Sequence, residues 1–359
     1  MSSLKKIGFF SALFLPLLLI LGTRLGGGYL FMVHAFVFIL VPIMDYFISR
    51  DKQNVPLAAV SQVTNDNFYK LVTFFWVYVQ LAIVIWGFWI VSNEQLVWWE
   101  WLAFSSGMAL ITGGIGITVA HELGHKKGRL EQSYAKTLLM TVCYMHFIIE
   151  HNRGHHVRVA TPEDPATSRV GENFYAFWFR SVVDGYRSAW DLERDRLARN
   201  RKAFLSIHNQ MIQFLVIPLL FVATGFFVFS FIQNRLVWEI PLFFFLQSFF
   251  GFSLLELVNY LEHYGMERRK MPSGIYERVT PLHSWNASEV VSNFLLFQLQ
   301  RHSDHHANAY KRYQVLNHYD ESPQLPAGYS AMIILALFPP LWFRVMNPRL
   351  DFWKKQTFG

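Results

Sequence analysis

Six apolar runs, each of about twenty residues, leave this chain little choice but a bundle of membrane-crossing helices, because only helices and closed barrels satisfy their backbone polar groups in lipid. The runs extend over about Ile7 to Leu21, Tyr29 to Ile48, Leu71 to Val91, Leu96 to Ala120, Met211 to Phe231 and Trp238 to Leu261. Short links, Gly26-Gly27-Gly28 and Ser92-Asn93-Glu94-Gln95, join the first and second pairs, so the runs read as three hairpins. Only 16% of residues are charged, where a soluble domain carries about 25%. A weaker run, Ala331 to Phe343, is interrupted by Pro339-Pro340 and is expected at the membrane surface rather than across it. Lys5 and Lys6 imitate the start of a secretory signal, but no small-residue cleavage site follows, which predicts a retained anchor.

With six spans, the N-terminus, the first loop, the long 122–210 segment and everything after Leu261 share one side. That side holds every Lys and Arg of the 32 except Arg24 and Arg235. By the positive-inside rule it is the cytoplasmic side of the inner membrane. The expected fold is therefore all-α, a six-transmembrane-helix bundle with a cytoplasmic, histidine-rich helical cap. Its parts would be 1–120 with spans one to four, 121–210 as a first catalytic segment, 211–261 with spans five and six, and 262–359 as a catalytic tail. The tail is read as irregular segments and short helices, broken by Pro323, Pro326, Pro339, Pro340 and Pro348. The basic face suits anionic lipid or an acidic protein; no recognition motif points to nucleic acid.

Nine of the 14 histidines fall into four compact groups on that side: His121 and His125; His151, His155 and His156; His263; and His302, His305 and His306. Within each multiple group the rings recur at three or four residues, one face of a helix. His121-Glu122-Leu123-Gly124-His125 also matches the HExxH of zinc proteases, in which Glu122 would be the base. That reading uses one further ligand and leaves the other histidines idle, whereas two metal ions with four or five imidazoles each use all nine. A membrane metal transporter would place its ligands in mid-membrane rather than at helix exits. His34, His146, His208, His283 and His318 lie off these faces and are left out. The single Cys143 permits neither a disulfide nor a Cys₄ cluster within this sequence, so any one-electron donor comes from outside.

The blocks Glu150-His151-Asn152-Arg153-Gly154-His155-His156, Asn259-Tyr260-Leu261-Glu262-His263-Tyr264-Gly265 and Leu299-Gln300-Arg301-His302-Ser303-Asp304-His305-His306-Ala307, with His121 to Lys126, resemble those of the bacterial alkane 1-monooxygenases. These are integral-membrane alkane hydroxylases within the wider fatty-acid desaturase and hydroxylase superfamily. The resemblance covers nearly the whole chain. It implies two non-haem iron ions held by the nine histidines, oxygen as co-substrate, a medium-chain n-alkane converted to the 1-alkanol, and rubredoxin as electron donor. The rivals within the superfamily are a fatty-acid desaturase and a lipid or xylene hydroxylase. An unactivated methyl group has no acidic proton, so a strong metal-based oxidant is required.

Residues beside the ligands are expected to orient their rings: Glu122, Glu150, Asn259, Glu262 and Asp304. Glu256, costly in lipid, is expected to face the protein interior. Gly107, Gly113, Gly114 and Gly116 on the fourth span leave room for close helix approach or for a ligand entering from the bilayer. The Arg194 to Lys202 run is the expected docking place for rubredoxin.

Overall fold

The computed structural model describes residues 3–48 and 50–358, and its regular structure is helical; among them β pairing is confined to two isolated bridges. Six helices are long and apolar enough to cross a membrane: α1 (Lys5–Leu25), α2 (Gly27–Phe47), α3 (Asn67–Asn93), α4 (Trp98–Gly124), α7 (Gln210–Gln233) and α8 (Glu239–His263). Among the shorter helices between and after them are α5 (147–158), α6 (Phe174–Arg199), α9 (His302–Ala307), α10 (Tyr329–Ala336) and α11 (Pro339–Phe358). The six expected runs and their hairpin turns are all present.

Local chemistry sets the helix ends. Gly26, at φ 69°, turns the chain between α1 and α2, a conformation that costs glycine little. Side-chain oxygens cap three helix starts: Asp66 accepts from Phe68 N at 3.0 Å, Asn173 from Ala176 N at 3.0 Å, and Asn209 from Met211 N at 2.9 Å. The tail departs from its expectation. Pro339 and Pro340 open a 20-residue helix that runs through Pro348, because proline at the first helical positions lacks an N–H that would have had no partner there.

Helix α4 is the central post, with 83% of the residues in its apolar stretch buried, while α7 lies at the periphery, with 11%. Polar side chains tie neighbouring spans: Thr112 donates to Gln247 at 2.8 Å, and Gln80 donates to Thr141 at 2.8 Å. The α4 glycines divide by role. A Cβ on Gly113 would lie 2.5 Å from the Gly251 backbone, so this glycine permits close contact of α4 and α8. A Cβ on Gly114 would meet only the end of Leu254, at 3.4 Å. Below the bundle, the buried Arg301 donates to the carbonyls of Leu316, Asp51 and Gln53 at 2.6–3.1 Å and so fastens the tail to the first loop.

Gly113→Ala is therefore expected to cost about 1–3 kcal/mol, the usual penalty for overpacking, and Gly114→Ala little. Thermal unfolding of the two variants in one detergent would check the difference.

Candidate metal centre

Four elements converge on one buried region. On α4, Gly114, Thr118 and His121 follow each other at helical spacing, and His125 stands one turn beyond His121. On α8, Glu256, Asn259, Glu262 and His263 are all buried. Helix α9 adds His302, His305 and His306. Helix α5 adds the remaining three, and its turn is not α-helical: His151–His155 form a π-helical segment.

That wider turn decides where the rings go. In an α-helix His151 and His155 would share a face, as their spacing predicts. With the π-turn, residues five apart also come together, and His151 Nε2 lies 3.0 Å from His156 Nε2. His155, its ring stacked on His151 with centroids 5.2 Å apart, turns its Nε2 to within 3.2 Å of that of His306.

The nine rings thereby sort into two groups: His121, His125, His151, His156 and His305 in one, and His155, His263, His302 and His306 in the other. Within each group one nitrogen per ring lies within 4.8 Å of all the others. Ions that bind imidazole at about 2.1 Å place their donors within roughly 4.2 Å of one another. Each group is thus close to the size of one coordination shell.

The donor chemistry fits metal better than hydrogen bonding. Among pairs of facing nitrogens, His305 and His156 stand 3.1 Å apart and His302 and His263 3.2 Å, and a neutral ring has only one N–H to offer. Among the described residues, the buried Nε2 atoms of His121 and His125 have no hydrogen-bond partner. Burial, and then the neighbouring rings, hold His125, His151, His156, His302, His305 and His306 well below the ordinary histidine pKa. These rings are neutral, with lone pairs free for cations. His155 differs: burial lowers it, but the Asp164 carboxylate and then Glu150 reverse this, and the net shift is upward.

Among the expected ring-orienting residues, Glu262 alone touches a ring. Its Oε2 is 3.1 Å from His302 Nε2, on the inward side, and its Oε1 accepts from Tyr329 at 2.8 Å. Glu122 pairs with Lys126 at 3.0 Å. Glu150 accepts from His155 N, Arg158 and Ser188. Asn259 donates to Glu256. Asp304 accepts from Lys311, Asn308, Tyr319 and the Asn317 backbone, which shapes the chain after α9. The carboxylate behind a ring is Asp164, which sequence reading missed. His155 Nδ1 donates to it at 2.8 Å, so the Nε2 lone pair points into its group. Asp164 lies nine residues past His155 in a proline-flanked turn, and adjacency could not find it.

Besides a void of about 10 Å³ against His121 and His305, two cavities reach the centre. The larger, about 70 Å³, is apolar: it passes Val37, Leu110, Gly114, Leu254 and Ile333 and ends at His121, His151 and His302. No Lys or Arg lines it. The second is small and polar, and touches His151 and His155.

The sequence matches the fatty acid desaturase family model over residues 96–336. Alkane 1-monooxygenase 2 of Pseudomonas aeruginosa is 43% identical over 92% of this chain and 86% of its own length. Alkane 1-monooxygenase 2 of Alcanivorax borkumensis is 39% identical over 98% and 92%.

The chain belongs to the alkane 1-monooxygenase family.

The xylene/toluene monooxygenase hydroxylase component of Pseudomonas putida is more distant, 26% identical over 69% of this chain and 64% of its own length. Membership in the alkane 1-monooxygenase family agrees with the block resemblance, and the desaturase match agrees with the wider superfamily. It also disposes of HExxH as a protease signature, since Glu122 is committed to Lys126 and three more imidazoles join His121 and His125.

Asp164→Asn is expected to weaken metal binding about 10–100-fold, the usual cost of losing a partner behind a ligand ring. Glu122→Gln should leave metal content unchanged. Competitive chelator titration with elemental analysis would measure both.

Proposed function

We propose that this protein hydroxylates the terminal methyl group of medium-chain n-alkanes to 1-alkanols, using oxygen and electrons from rubredoxin at two non-haem irons held by the nine histidines. The observation that carries this reading is the apolar cavity that ends on histidines of both groups. Iron, when bound, would supply the oxidant that a C–H bond without acidity demands. The protein's part is to bind, orient and exclude. A slim apolar passage takes a chain lengthwise and offers its end to the centre, so terminal selectivity follows from width. Gly114, Ile117 and Thr118 on α4 and Leu254 and Val258 on α8 line it.

A fatty-acyl substrate would bring a charged head group, and no cation lines the passage to receive one. That favours a hydrocarbon over the desaturase reading. The transporter reading is disfavoured because the ligands cluster at the ends of α4 and α8 and beyond them. Overall, one oxygen atom enters the C–H bond and the other leaves as water, with two electrons and two protons consumed.

The basic side is read as cytoplasmic, where rubredoxin would dock. Within the Arg194 to Lys202 run, Arg196 is held by Glu193 at 2.6–2.7 Å and serves the fold. Arg199, Arg201 and Lys202 are exposed and better suited to an acidic partner.

Iron-loaded protein with reduced rubredoxin should convert alkanes from octane to hexadecane into 1-alkanols, read by gas chromatography, with two irons per chain. Unsaturated acyl products, or one zinc per chain, would overturn the reading. Exchanging Arg199, Arg201 and Lys202 for Gln should raise KM for rubredoxin several-fold and flatten its salt dependence, with little change in alkane KM.

A further inference from the structure

The proposed reaction consumes two protons for each oxygen molecule, and the larger cavity is walled mostly by hydrocarbon side chains. The second cavity carries His146, Glu150, Ser181 and Glu256 in its wall. It holds about 30 Å³, room for one or two waters, and touches His151 and His155 from the side of α6. Glu256 lines it and is only 3% exposed. Its Oε1 accepts from the Tyr144 hydroxyl at 2.9 Å, and its Oε2 from Ser181 at 2.6 Å and Asn259 at 3.3 Å. Among the described residues no Lys or Arg pairs with it. It hydrogen-bonds to no histidine, so it does not hold a ligand in place. A carboxyl buried near the end of a membrane helix without a counter-ion is expensive and marks a functional position. One turn beyond Ser181 on α6, the half-buried Gly185 also lines the cavity, and a Cβ there would meet nothing within 4 Å. The cavity thus has a gap in its wall toward the surface.

We propose that Glu256 is a proton relay, passing protons from water admitted beside Gly185 through the polar cavity to the metal centre. This rests on the hydroxylase reading above. In each transfer the Glu256 carboxyl gives its proton to a cavity water, a proton moves on to the oxygen atom that leaves as water, and solvent reprotonates Glu256. Two transfers match the two electrons supplied by the donor. Tyr144 orients the carboxyl and stays protonated, because burial and then the Glu256 charge push its phenol well above the usual range. Ser181 and Asn259 fix the second oxygen.

The first test needs no turnover. In zinc-loaded protein, infrared difference spectra on acidification should contain a carboxyl band that is absent in Glu256→Gln and shifts promptly in D2O. A band that does not shift seals Glu256 from water and overturns the proposal. In iron-loaded protein, Glu256→Gln should lower alcohol formed per electron by about tenfold or more, at the low end of acid–base effects or below it, release hydrogen peroxide and leave octane KM unchanged. Glu256→Asp should restore most of the coupling. Gly185→Leu, which fills open space and leaves Glu256's contacts intact, should uncouple in the same direction and carries the test if Glu256→Gln does not fold. Wild-type coupling in Glu256→Gln or in Gly185→Leu overturns the relay. Absence of alcohol from the wild type would instead remove the hydroxylase reading, and the infrared band would still judge the carboxyl.

Discussion

Nine imidazoles face one another inside this protein with too few protons to hydrogen-bond as a set, and most of its architecture serves to hold them there. Neutral rings at 3.0–3.2 Å between facing nitrogens share at most one proton per contact, and cations would take up the lone pairs left over. The ends of α4 and α8 carry three of the rings out of the apolar bundle, and α5 and α9 bring six more beneath it. Arg301 and the Asp304 cluster then fix the tail so that α9 cannot drift. Imidazoles add no negative charge of their own. The positive charge of two divalent ions would be offset by the carboxylates packed around the groups, Asp164 behind His155 and Glu262 against His302.

The division of rings between the groups follows from backbone hydrogen bonding more than from spacing. His151 and His155 lie side by side, with ring centroids 5.2 Å apart, yet serve different groups, and the π-turn brings His156, five residues on, back to His151. A second π-helical segment, Leu110–Gly116, lies on α4 where the apolar cavity passes. Such turns commonly occur at functional sites, since they cost helix regularity and survive where a side chain must be re-aimed.

Much of this was legible in the sequence. The six spans could be read because twenty apolar residues in a row admit one solution in lipid, and the nine histidines because no single ion uses so many. What escaped was set by tertiary geometry. Asp164 is joined to His155 through a turn whose path spacing does not encode. Glu122 and Asp304 sit beside ligands in sequence yet point to Lys126 and Lys311, because a helix sends adjacent residues about 100° apart. Pro339 and Pro340 read as breakers but begin a helix, since position decides what a proline does. The four glycines of α4 looked alike; only packing separates Gly113, against Gly251, from Gly114, at the cavity.

The two cavities express a requirement that any buried oxidation chemistry meets: a substrate without polar groups and protons carried by polar groups must reach the same atoms without sharing a path. Water along an apolar passage would compete with hydrocarbon for it, and a hydrocarbon in the polar cavity would strand the oxygens of Glu256 and Glu150. Phe147, His151 and Asn259 line both spaces and form the partition between them. Phe147 stacks on His151, with ring centroids 4.7 Å apart, which leaves little room for water between the two sides. Asn259, tied to Glu256, keeps the polar side's hydrogen bonds turned away from the apolar one. The same fold element, α8, thus supplies an apolar wall through Leu254 and Val258 and a polar one through Glu256 and Asn259. The separation arises from the two sides of a single helix.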